Sequence, residues 1–143
     1  LKVNIAFFEY LMRLADYSYK NGDVPISAAI VKNGEIVSAG YNTRELTNCI
    51  LGHAEINAIN ELCKKNNNWN LSEYDLYVTL KPCSMCMEII KQTRIRNVYY
   101  LLDKPENKKE FSKTLLHKIN DDKEEKVYKE ILNNFFKEIR DKS

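Results

Sequence analysis

Tyr74-Asp75-Leu76-Tyr77-Val78-Thr79-Leu80-Lys81-Pro82-Cys83-Ser84-Met85-Cys86 carries an apolar, aromatic and β-branched run straight into a proline and two closely spaced cysteines. Tyr74 to Leu80 has the length and composition of a buried strand. Proline at a first helical turn gives up an N–H that the helix does not need. The segment after Pro82 therefore reads as a helix, with Met85, Ile89 and Ile90 as its apolar stripe and an end near Thr93. Residues three apart share a helix face, and a helix N-terminus lowers the pKa of a thiol placed there. Cys83 and Cys86 are thus expected to bind one cation as thiolates.

Upstream, Gly52-His53-Ala54-Glu55 supplies a histidine and a carboxylate. Two positions apart in mid-helix they would point away from each other, so they are expected at a helix entry, with Gly52 permitting the turn. Three ligands, not four, is the informative count. A structural zinc is normally closed by four protein ligands, whereas a catalytic zinc keeps its fourth position open to water. The other candidates, Cys49, Cys63 and His117, show no ligand spacing, and the two cysteines read as unliganded thiols, Cys63 buried. The expected centre is one zinc on His53, Cys83 and Cys86 with Glu55 as the base beside it. A purely structural zinc module would lack its fourth ligand.

His-X-Glu followed by Pro-Cys-X-X-Cys resembles the signature of the zinc-dependent cytidine and nucleobase deaminases. Within that superfamily the chain is most similar to the bacterial tRNA adenosine deaminases. The resemblance rests on Asp23-Val24-Pro25-Ile26, Tyr41-Asn42-Thr43-Arg44-Glu45, His53-Ala54-Glu55-Ile56-Asn57-Ala58-Ile59, Leu76 to Leu80 leading into the cysteines, and Phe135-Phe136-Lys137-Glu138-Ile139-Arg140. It implies a cytidine deaminase-like α/β/α sandwich and zinc-dependent conversion of adenosine to inosine at the wobble position of a tRNA anticodon loop. It also implies a homodimer, with Asn42, Ala54, Ile26, Arg44 and Phe136 as substrate-binding positions. In the family the asparagine bonds the target base, and aromatics near the C-terminus grip splayed bases. Without the resemblance, Asn42 is equally a turn residue and Phe135 and Phe136 are packing.

Three departures from the family pattern stand out. Lys81 replaces a glutamate, Ser27 replaces a glycine and puts a side chain close to where a base enters, and the Lys104 to Glu110 stretch replaces a glycine-rich loop. Two other readings follow from the same motif: a deaminase of a free base or nucleoside of the guanine or cytosine type, and a catalytically silent RNA-binding subunit. Glu55 opposes the silent reading, since a scaffold needs no proton shuttle.

The rest of the chain frames these motifs. Its 143 residues, 44% hydrophobic and 29% charged, suit a single globular domain over 1–143. A net charge of +2 and a balanced tail announce no polyanion partner, so any basic contact must be local. No apolar run has membrane-spanning length. With no leader-like segment and a Cys-X-X-Cys better used on metal, a reduced, cytoplasmic protein is expected, its natural start lying upstream of Leu1.

A helix is expected from about Asn4 to Lys20, with Ile5, Phe8, Leu11, Met12, Ala15 and Tyr19 as its core stripe and Asn21-Gly22 as its stop. Ile26 to Lys32 and Glu35 to Tyr41 flank Asn33-Gly34, a hairpin signal. Asn42 to Leu51 reads as a loop, His53 to Lys65 as a helix burying Ile56, Ile59 and Leu62, and Val98 to Leu102 as a strand. A last helix, about Lys123 to Arg140, aligns Val127, Ile131, Phe135 and Ile139, with Phe135 read as core and Phe136 off the stripe. The order predicts a mixed sheet with an N-terminal hairpin and parallel later strands. Lys91, Arg94 and Arg96 read as cations at a helix C-terminus, with phosphate contact as the sharper alternative.

Overall fold

The computed structural model describes residues 4–103 and 114–142. The chain forms two compact units, Leu1–Glu106 and Asn107–Ser143.

In the first unit, α1 (Ile5–Lys20) starts at Asn4, whose side-chain oxygen accepts the Ala6 N–H, and stops at Asn21 with Gly22 at φ +79°. The hairpin is β1 (Ser27–Lys32) and β2 (Glu35–Tyr41). Asn33 and Gly34 both take positive φ, 52° and 77°, as a two-residue turn matched to strand twist requires. A register shift at Ile30/Val31 marks a bulge opposite them in β2. There follow α2 (Arg44–Thr47), α3 (Ala54–Asn66), β3 (Asp75–Leu80), α4 (Ser84–Gln92) and β4 (Asn97–Leu102). The sheet runs β2-β1-β3-β4, with β1 antiparallel to both β2 and β3, and β3 parallel to β4. This is the expected mixed sheet with a parallel far half.

Strand periodicity sorts the core into two layers. Ala28 and Ile30 of β1 and Leu76 and Val78 of β3 face α3 and α4, where they meet Ile56, Ile59, Leu62 and Ile90. Ala29, Val31 and Tyr77 point the other way and meet Phe8 and Leu11 of α1. A helix on one face and two on the other make three layers. The closest approach is at Gly40: a Cβ there would lie 2.6 Å from the Ala54 carbonyl oxygen and 2.8 Å from the Ala58 nitrogen. Only glycine lets α3 lie this close on β2.

Several expectations are corrected. The buried line of α1 is Phe8, Leu11, Ala15 and Ser18, while Ile5, Met12 and Tyr19 are exposed, because the face toward the sheet is rotated past them. Residues 44–47, expected as loop, form a helical turn. Pro82 lies before Cys83, the N-cap of α4, and is not the first helical residue. Ser27 is fully buried and its hydroxyl donates to the Leu11 carbonyl in α1, so it packs between sheet and helix instead of crowding a base. Cys63 is half-buried, not buried.

The second unit contains α5 (Asp122–Lys142), with Asp122, Glu124 and Glu125 in its first turn and Arg140 and Lys142 in its last, both favourable to the helix dipole. Val127, Ile131, Phe135 and Ile139 do fall on one stripe. None of them is buried, Phe135 included, because the described residues of this unit offer α5 no second element to pack on. Lys104 to Glu110 lies outside the described residues. No described helix is long and apolar enough to cross a membrane.

Candidate active site

Two helix entries on the same face of the sheet build the centre. His53 is the N-cap of α3, extended at φ −88° and ψ 145°, and Cys83 is the N-cap of α4, extended at φ −68° and ψ 169°. Extended caps throw both side chains forward of their helices. Cys86, one turn into α4, follows on the same face. The His53 Nδ1 lies 3.8 Å from the Cys83 Sγ and 3.4 Å from the Cys86 Sγ, and the three donor atoms fall within 4.8 Å of one another. They are the one such cluster among the described residues.

Gly52 serves His53 by its smallness. It does not take positive φ; a Cβ there would lie 2.7 Å from the Arg44 nitrogen and 2.8 Å from its Cα. The Gly52 carbonyl accepts the Thr43 N–H at 2.8 Å, tying the two passing strands of loop together.

The donor set fits a soft or borderline divalent ion with nitrogen and sulfur ligands, zinc first. Burial pushes the Cys86 thiol far above its ordinary pKa, and the negative charges of Glu55 and Cys83 raise it further. A thiolate at that position needs a cation beside it. Its burial therefore suits a metal ligand rather than an exposed nucleophile.

A cavity of about 290 Å³ opens beside the three ligands, lined by Ile26, Asn42, His53, Glu55, Lys81 and Cys83 among others. Glu55, only 4% exposed, and Asn42, 8% exposed, form its inner wall. Asn42 is fixed on every side: its N–H donates to the Ile26 carbonyl, its carbonyl accepts the Ser18 hydroxyl at 2.8 Å, and its Oδ1 accepts the Ala54 N–H at 2.8 Å. The last bond settles the amide's orientation, since an N–H must face oxygen. It leaves Nδ2 as the group for the cavity.

Ile26 and Arg44 also line the cavity. The Ala54 N–H is spent on Asn42, and Phe136 belongs to the second unit, with its ring edge-to-face on Phe135. Arg96 pairs with Asp75 and Lys91 with Glu88, while Arg94 takes φ 67° at the end of α4.

The sequence alone did not single out Asp23 as a site residue. It is buried, it lines the cavity, and its carboxylate accepts the N–H groups of Glu45 at 2.7 Å and Leu46 at 3.3 Å, so it holds the cavity's α2 wall. Its only sequence signal was a position inside the Asp-Val-Pro-Ile run.

A mixed sheet between one helix and two, with a histidine and two cysteines able to hold a metal at two helix entries, is the architecture of the cytidine deaminase-like fold. The chain belongs to the MafB19-like deaminase family, whose model matches residues 4–140. It is similar to the tRNA-specific adenosine deaminase of Rickettsia bellii, 43% identical over 91 residues that cover 62% of this chain and 63% of that one. It is similar also to that of Streptococcus pyogenes serotype M18, 40% identical over 94 residues, 66% of this chain and 59% of that one. The chain therefore spans about three-fifths of the length of these curated relatives. Among solved structures, one from studies of A-to-I editing by tRNA deaminases at the wobble position superposes with a TM-score of 0.68 at 35% identity, covering 71% of this chain and 78% of that one. The guanine deaminase of Bacillus subtilis superposes with a TM-score of 0.75 at 23% identity over 92% and 95% of the chains, and shares the fold.

Proposed function

We propose that the protein is a zinc-dependent hydrolytic deaminase that converts adenosine to inosine at the wobble position of tRNA. The observation that carries the reading is the joining of the His53–Cys83–Cys86 cluster to a cavity walled by Asn42 and Glu55, in a chain about 40% identical to proteins named for that reaction.

His53, Cys83 and Cys86 would hold the zinc ion, whose chemistry there would be to lower the pKa of a bound water toward neutrality. Glu55 would move both protons of the attacking water, the first to the ring nitrogen beside the amine-bearing carbon and the second, from the hydroxyl left on that carbon, to the amine as it departs. The balance is one water consumed and one ammonia released, with a carbonyl left on the base. Burial of Glu55 keeps its proton traffic out of bulk water. Asn42 Nδ2 donates to an acceptor on the base, and Arg44 and Ile26 shape its entry. The N–H groups at Cys83 and Ser84 open α4 and would be the donors available to the reacting oxygen; one well-aimed donor of this kind is worth roughly 3 kcal/mol of barrier.

The same reading takes the whole chain, 1–143, as one deaminase domain acting as a homodimer, with Phe136 gripping a splayed base of the anticodon loop. The family match over residues 4–140 supports the first of these. All four cysteines are free, which supports a reducing, cytoplasmic setting.

The test is inosine formation, read by mass spectrometry, on an anticodon stem-loop with adenosine at the wobble position, with free adenosine, cytosine and guanine in parallel. Inosine in the stem-loop alone establishes the reading. Turnover of a free base alone replaces it with nucleobase metabolism, and no turnover with zinc bound replaces it with a silent subunit.

A further inference from the structure

The cavity is graded from floor to mouth. Asn42 and Glu55 at its floor are buried, while Arg44, Glu45 and Lys81 at its mouth are exposed. Its volume of about 290 Å³ sits at the bottom of the roughly 300–1,000 Å³ range of small-molecule sites. A reacting base has to reach the buried end, beside Glu55 and the three ligands. The sugar of a bound nucleoside, and any phosphate on it, then point back toward the exposed residues of the mouth.

The two cations at the mouth are not equivalent. Arg44 has a carboxylate neighbour, Glu45 at 3.9 Å. Lys81 makes no ion pair among the described residues, and the only ring against its ammonium is Tyr100, centroid 5.9 Å away. Its backbone is pinned, with the N–H donating to the Leu102 carbonyl at 2.9 Å. Pro82 and the metal ligand Cys83 follow directly in the chain. A pinned backbone thus carries to the mouth a hydrated point charge that no carboxylate among the described residues pairs with, on the side where a phosphate would come. The chain's net charge of +2 gives little long-range attraction, so a contact like this has to be made locally.

We propose that Lys81 is a substrate-binding residue that contacts a phosphate of the bound nucleotide unit at the cavity mouth. This rests on the deaminase reading above and adds the phosphate contact to it. The phosphate is either a phosphodiester of a nucleic-acid strand or the terminal phosphate of a free nucleotide.

The experiment uses the zinc-loaded full chain as wild type, Lys81→Ala, Lys81→Arg and a control, Lys64→Ala. Lys64 is an exposed lysine about 15 Å along α3 from the site end. KM and kcat are measured against salt for the RNA stem-loop, adenosine 5′-monophosphate and adenosine. Lys81→Ala should raise KM several-fold for the phosphate-bearing substrate at low salt, with kcat within about two-fold and adenosine unaffected. For the stem-loop the slope of log KM on log salt should fall by about 0.7 to 0.9, the share of one phosphate contact on a strand; for the monophosphate the rise in KM should shrink as salt screens the pair. Lys81→Arg should restore both, and Lys64→Ala should change neither. Loss with the stem-loop assigns the contact to a phosphodiester; loss with the monophosphate alone assigns it to a free nucleotide. If wild type converts none of the three, the deaminase reading fails, and binding of a labelled stem-loop and of the monophosphate at the same salt series replaces the kinetics. By either readout, Lys81→Ala with an unchanged salt slope for the stem-loop and an unchanged KM or Kd for the monophosphate overturns the phosphate contact.

Discussion

The Oδ1 of Asn42 accepts the backbone N–H of Ala54 at 2.8 Å, which binds the loop after β2 to the first residue of α3. One side chain thereby has two duties, holding the helix entry with its oxygen and offering its NH₂ to the cavity. The duties separate in Asn42→Asp, which keeps an oxygen for Ala54 and replaces the donor with an acceptor. Its fold and zinc content should match wild type, while kcat/KM falls about 10²-fold or more, as expected when a base acceptor faces an acceptor in a dry site. Asn42→Ala should lose stability as well, by about 1–2 kcal/mol, by orphaning the Ala54 N–H. Metal analysis, a denaturation curve and steady-state kinetics on both variants check this.

Asp23 sets the opposite wall. Its carboxylate takes two N–H groups at the start of α2, a helix of four residues too short to hold itself. Asp23→Ala should cost about 2 kcal/mol. Asp23→Asn, which keeps one acceptor oxygen, should cost less and show its defect mainly in KM, because Arg44 and Glu45 lose their fixed place while the zinc side is untouched. Equal KM values in wild type and Asp23→Asn would show that α2 has no part in binding.

Gly40 tests the seating of the zinc helix on the sheet. An added Cβ would meet backbone atoms of Ala54 and Ala58 at 2.6 and 2.8 Å, and backbone cannot rotate aside as a side chain can. Gly40→Ala should destabilise by about 1–3 kcal/mol and weaken zinc binding, since lifting α3 moves His53 away from Cys83 and Cys86. Thermal melts with and without zinc should show a lower Tm in both states and a smaller gain from the metal.

Much of this was legible in residue order. Asn33-Gly34 dictated a hairpin through local φ preference, and the cysteine spacing brought Cys83 and Cys86 together at one helix entry; both are short-range effects. What escaped depends on distant partners. Ser27 looked like an obstruction to a base because the sequence does not show that its hydroxyl finds Leu11 across the sheet. Gly52 looked like a turn glycine, yet its constraint is the passing backbone of Thr43 and Arg44. The stripe of α1 was right at Phe8, Leu11 and Ala15 and drawn too wide at Ile5, Met12 and Tyr19, which are as apolar on paper as the residues that are buried. Only the sheet selects among them. Asp23 gave no sign beyond its place in the Asp-Val-Pro-Ile run, since a carboxylate that caps a distant turn looks like any other loop aspartate.

As a zinc site, the His53–Cys83–Cys86 cluster would have a proton balance that kinetics alone would miss. Burial, then Glu55 and then Cys83, drive the Cys86 thiol pKa upward, so near neutral pH without metal Cys86 carries its proton. Binding zinc must displace it, and falling pH therefore weakens binding by about ten-fold per unit for each thiol proton displaced. Titrating zinc into weakly buffered apoprotein should release at least one proton per ion, and Cys86→Ala should abolish both the release and stoichiometric binding. Glu55→Ala should behave differently: zinc and fold retained, turnover reduced about 10²- to 10⁴-fold, the usual worth of a general acid–base group. A Glu55→Ala protein that keeps most of its activity would remove Glu55 from the mechanism, and a Cys86→Ala protein that still binds one zinc would mean that the ligand set lies elsewhere.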